Sequence, residues 1–176
     1  MAFSVINIVI ILTFVQNDVE TSIITESAKI INANGTSRDK FGSSSHSIAV
    51  TRDLLVVGSP GSKSVFLYEI QKGKVLQPGT EIKPSVNERY YGRKVVANKN
   101  FFIVRATERF YIYDARSPYR LLNIVEAGRR GLRGLSIGED NTIVAGSSNA
   151  FGWRKAGVFI YKHFLDSSSP GPGKSK

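Results

Sequence analysis

Three stretches of the chain follow one plan. They are "SHSIAVTRDLLVVGSPGSKSVFLYEI" (residues 45–70), "GRKVVANKNFFIVRATERFYIYDA" (92–115) and "RGLSIGEDNTIVAGSSNAFGWRKAGVFIYKHF" (133–164). Each reads as a short apolar strand, a polar turn, a stronger apolar strand, a loop, and a last strand that ends in tyrosine. The turns are Thr51-Arg52-Asp53, Asn98-Lys99-Asn100 and Glu139-Asp140-Asn141, and the closing tyrosines Tyr68, Tyr113 and Tyr161 lie 45 and 48 residues apart. Gly58, Arg105 and Gly146 hold the matching place after the central strand. Glycine there suits a crowded position, and Arg105 breaks the pattern, so the second unit must turn differently.

A period in the forties with three or four strands per unit is that of a β-propeller blade. Blades pack both faces against neighbours, so inner strands are apolar almost without interruption, as in Leu54–Val57 and Phe101–Val104. The expected fold is therefore all-β: a partial β-propeller of about three antiparallel blades, or a curved stack of small sheets. The blades are expected over about 28–70, 79–115 and 119–165. Three blades do not close a ring, so the first and last should expose apolar faces, which suits self-association or docking on another protein.

The segment "RDKFGSSSHSIAVTRDLLVVGSPGSKSVFLYE" resembles the FG-GAP repeat of integrin α-chain-like propellers. Phe41-Gly42 stands for "FG", and Val57-Gly58-Ser59-Pro60 for "GAP" with Ser59 in place of alanine. Tyr91-Gly92 with Arg105-Ala106-Thr107, and Gly131-Leu132 with Ala145-Gly146-Ser147-Ser148, are more degenerate versions. The resemblance spans about residues 28–162 and implies a non-enzymatic module that engages a protein or glycan through its blade loops. Calcium-binding blades of that family carry an Asp-rich loop. The loops here ("GSPGSKS", "RATER", "GSSNAFGWRKAG") each lack two carboxylates, so no calcium and no other metal or cofactor is expected.

Residues 1–27 form an apolar leader. "MAFSVINIVIILTFVQND" has no charge before Asp18. It has the length of a signal-peptide core but lacks a basic start and a clear cleavage site, so it reads as a signal or anchor segment or else as an extra strand. A loose helical spacing over Val19–Ile31 is the only helical hint. The leader points to a secreted or surface protein, with a subunit of an intracellular or organellar complex as the alternative. Asn34-Gly35-Thr36 would then be a glycosylation sequon. The tail "DSSSPGPGKSK" (166–176) has no apolar content and reads as flexible.

Charge is uneven. The net charge is +10; residues 1–87 carry 8 Lys+Arg and 7 Asp+Glu, and residues 88–176 carry 16 and 7. A basic second half favours an anionic partner, or a basic structural subunit of a larger assembly. "GRRGLRG" gives Arg129, Arg130 and Arg133, and the next loop gives Trp153, Arg154 and Lys155. These six are the candidate partner or anion contacts, since arginine forks match oxyanions. The aromatic residues of the second unit sit in apolar strand runs, so packing explains them better than nucleic-acid stacking. A membrane contact is expected only through the N-terminal segment.

Enzyme chemistry finds little purchase. There is no cysteine, which removes thiolate chemistry and disulfides. "GSPGSKS" lacks the adjacent Gly-Lys and following helix of a phosphate loop and reads as a hairpin. His46 and His163 lack metal-ligand spacing; His46 and Asp53 are expected near each other across a hairpin, with no positioned nucleophile. No catalytic residue is expected.

Overall fold

The three polar turns are where the chain reverses. In the computed structural model, which describes residues 29–32, 35–126, 132–147 and 157–162, β1 (Ile48–Val50) and β2 (Leu54–Ser59) flank the first turn. β3 (Ser64–Gln71) returns antiparallel to β2. It then pairs at its end with β4 (Lys74–Val75) and along its first half with β5 (Thr80–Ile82). The second turn joins β6 (Lys94–Ala97) to β7 (Phe101–Arg105), followed by β8 (Arg109–Asp114) and β9 (Leu121–Glu126) in a four-stranded meander. The third joins β10 (Leu132–Ile137) to β11 (Ile143–Ser147), with β12 (Gly157–Tyr161) completing a three-stranded sheet. The described chain is thus all-β: three antiparallel sheets, each entered through an edge strand.

The chain divides into Met1–Ile31 and Asn32–Lys176. All three sheets belong to the second. The leader expected over 1–27 and the tail over 166–176 lie outside the described residues, as does nearly all of the helical hint.

The middle sheet explains why its strands show no alternation. Strand residues point alternately to opposite faces. In β7 and β8, Phe102, Val104, Tyr111 and Tyr113 join a core with Leu54, Val56, Val65 and Leu67 of the first sheet. Phe101, Ile103, Phe110 and Ile112 join a second core with Leu135, Ile143 and Ala145 of the third. A strand buried on both faces must be apolar at every position, and "FFIV" and "FYIY" are. Aromatic geometry fixes the first core further: Phe102 stacks on Tyr113 at 4.9 Å, and the Tyr91 and Tyr113 hydroxyls hydrogen-bond at 2.7 Å. Between the middle and third sheets a polar clamp joins neighbouring turns. Asn98 Nδ2 donates to the Gly138 carbonyl (2.8 Å) and to Asn141 Oδ1 (2.9 Å), which also accepts from Asn100 Nδ2 (3.0 Å).

The outer faces differ. Val65 and Leu67 in β3 pair with Gly58 and Val56; Phe110 and Ile112 in β8 pair with Arg105 and Ile103; Val158 and Ile160 in β12 pair with Gly146 and Val144. The first two pairs are buried by the following sheet, whereas Val158 is 70% exposed and Ile160 64%. Ile48 and Val50 of β1 are likewise exposed.

Candidate anion-binding site

Hairpins have two ends, and the end opposite the turns carries the charge. There, Ser47 accepts from the Gly58 amide (2.6 Å), Lys94 pairs with Arg105, and Gly134 pairs with Gly146. The residues just before these pairing positions are His46, Arg93 and Arg133, one from each sheet. A parallel bridge between His46 and Lys94, with the Val95 amide donating to the His46 carbonyl (2.8 Å), holds the first two entry strands together. Arg133 sits in a register shift: Leu132 pairs with Ser147 and Gly134 with Gly146, leaving Arg133 without a partner in β11. Such a bulge re-aims a side chain.

The matching positions Gly58, Arg105 and Gly146 now have distinct roles. Gly58 is glycine because Gly92, itself at φ +83°, passes over it; a Cβ on Gly58 would collide with the Gly92 carbonyl. Gly146 lies at ordinary contact distance from the Gly134 backbone. The middle sheet places an arginine there instead, partly buried, with its guanidinium in a concavity.

That concavity has a volume of about 470 Å³ and is lined by Ser44, Ser45, His46, Arg93, Lys94, Arg105 and Arg133. Among the described residues no carboxylate lines it. Among the described residues none of its four cations is in an ion pair, and Arg105 Nε is buried without a hydrogen-bond partner. Two other arginines of the middle sheet region are paired. Arg109 donates to Glu88 and Glu126 at 2.9 Å each, and Arg116 to Asp114 at 2.9 Å. Burial pushes the Arg105 guanidinium below its ordinary range, and the neighbouring charges of Arg93 and Arg133 push it further. Burial and Arg105 do the same to Lys94. Like charges crowded beside a desolvated one are costly until an anion arrives. The site is chemically complete as an oxyanion cradle: planar guanidinium forks, one ammonium, and two serine hydroxyls as neutral donors.

Ser45 Oγ and His46 Nδ1 are 3.0 Å apart, and both residues are exposed. Among the described residues His46 donates no hydrogen bond to a carboxylate, so the pair lacks the third group of a nucleophilic triad. His46 and Asp53 do not approach each other as expected, because β1 lies between them and puts them at opposite ends of the hairpin. Among the described residues no three His, Asp or Glu side chains converge on a common point.

Of the six contacts expected from the sequence, Arg133 lines the concavity. Arg129, Arg130, Trp153, Arg154 and Lys155 lie outside the described residues, as do Asn34 and His163. Arg93, Lys94 and Arg105 were missed as contacts. The signal for them was present: Arg105 breaks the glycine pattern, and Arg93-Lys94 follows the FG-like pair Tyr91-Gly92. No protein-family model matches the chain, and neither does any curated protein.

Proposed function

We propose that the chain is a run of three FG-GAP-like propeller blades acting as a non-enzymatic binding module, which engages anionic groups of a protein or glycan at the charged end of its sheets. The observation that carries this is the concavity holding Arg93, Lys94, Arg105 and Arg133 with no carboxylate among the described residues. Three antiparallel meanders entered through edge strands, with a middle sheet buried on both faces, support the blade assignment. The test is fluorescence anisotropy with a labelled sulfated glycan and a labelled acidic peptide, read at about 50 and 200 mM salt. Binding should weaken with salt and fall in the Arg93→Gln/Arg133→Gln double variant. Equal binding by the double variant would end this reading.

A second reading is a structural subunit of a larger assembly, and one observation favours it. Val158 and Ile160 are exposed at positions whose counterparts in the other two sheets are buried. Light scattering over a dilution series tests it. A particle heavier than one chain that resists salt supports burial of this face, and a monomer at all concentrations removes self-assembly.

A further inference from the structure

The concavity is too large and too highly charged for a single small ion. Its volume of about 470 Å³ falls within the range of small-ligand pockets, roughly 300–1,000 Å³. A lone divalent oxyanion would leave two of the four cations uncompensated. The cations are also spread over separate elements: Arg93 and Lys94 at the start of β6, Arg105 at the end of β7, and Arg133 on the bulge of β10. Their combined charge matches two or more oxyanion groups on one small ring better than a single divalent group. Ser44 and Ser45 add neutral donors suited to hydroxyl or ester oxygens.

Resting on the anion-binding reading above, we infer that the site takes a compact polyol carrying several tetrahedral oxyanions, a sulfated or phosphorylated ring of about one or two sugar units, with Arg105 as its central anchor. Arg105 suits this role because its Nε is buried without a hydrogen-bond partner among the described residues, while the corresponding places in the other sheets are glycines. The arginine is dispensable to the strand geometry, since the other two hairpins are built without it. It is present at a cost in desolvation and like-charge crowding that only a bound anion relieves.

The experiment is isothermal titration of the full 176-residue chain at about 50 mM salt with three probes: sodium sulfate, a trisulfated heparin-type disaccharide, and myo-inositol hexakisphosphate. The expected result is one site per chain, filled by one or both ring probes at least about a hundredfold more tightly than by sulfate. The tighter of the two tells whether sulfate or phosphate esters are the natural groups. Arg105→Met, which keeps the apolar stem, and Arg133→Gln should each weaken the ring probe about tenfold or more. Arg105→Met should do so without lowering the melting temperature, which a merely structural arginine would not allow. Arg52→Gln is the charge-matched control: its side chain is 95% exposed at the β1–β2 turn, the far end of the hairpin, and it should change affinity less than twofold. If sulfate binds through Arg105 as tightly as the ring probes, the polyvalent-ligand inference fails while the anion site stands. If Arg52→Gln weakens binding as much as Arg133→Gln, net charge alone is responsible and the inference fails. If none of the probes binds, both readings fall.

Discussion

Ile112 and Ile160 occupy the same register in two sheets, opposite Ile103 and Val144, yet one is fully buried and the other 64% exposed. Truncating each to alanine therefore separates packing from everything else. Ile→Ala removes three carbons, about 2.4 kcal/mol of transfer free energy at about 0.8 kcal/mol per buried carbon. At Ile112 a cavity between the middle and third sheets adds to this, for a total of about 3–4 kcal/mol. At Ile160 only about a third of the side chain is withdrawn from water, so the transfer loss is about 0.9 kcal/mol, and solvent fills the gap. The loss of strand propensity is common to both and cancels in the difference. Urea unfolding followed by far-UV circular dichroism at low micromolar protein should show Ile112→Ala less stable than Ile160→Ala by about 2 kcal/mol or more. Equal losses would refute the assignment of β12 as an outer, uncovered face. A loss at Ile160 that grows with protein concentration would instead show a second copy covering it.

Gly58→Ala drives a methyl into the Gly92 carbonyl and should cost about 2–4 kcal/mol in the same unfolding assay, whereas Gly73→Ala, with open space around it but φ +74°, should cost about 1 kcal/mol. Tyr113→Phe strands the buried Tyr91 hydroxyl and should cost about 1–3 kcal/mol, and the Tyr91→Phe/Tyr113→Phe double variant should lose less than the sum of the singles. Asp114 is held below the usual carboxylate range, chiefly by hydrogen bonding from Arg116. Its stabilising contribution is complete above the ordinary aspartate range near pH 4 and is lost as pH falls through the lower folded value, so Asp114→Asn should flatten the acid limb of stability against pH.

The strands and turns were legible because their signals are local. Apolar runs of four to six residues between polar turns fixed β2, β7, β8 and the three hairpins. The double burial of the middle sheet was also written in the sequence, as runs without alternation. Other features depended on pairing across long separations. β5 joins the first sheet beside β3 although β4 already pairs with the end of β3, and no local pattern distinguishes these two partners. The spacing of His46 and Asp53 suggested proximity, but β1 runs between them and carries Asp53 to the turn at the far end of the hairpin.

The candidate site was half legible for the same reason. Runs of basic residues draw attention to "GRRGLRG", but a run marks a solvated stretch as readily as a site. What makes a cation informative is the absence of its partner, and partners are set by tertiary structure. Arg109 and Arg105 are four residues apart on adjacent strands of one sheet. Arg109 meets two carboxylates, while Arg105 meets Arg93, Lys94 and Arg133. In sequence the two look alike. The distinguishing mark available without coordinates was positional: arginine stands where the other two hairpins have glycine. Gly58 reports a backbone need, because Gly92 passes over it. A bulky cation at the matching place of the middle sheet reports that the need is absent there, and that something else selects the side chain. Under the proposal above, the desolvation and crowding at Arg105 ask for an opposite charge of matching extent, which the titration of Arg105→Met reads out.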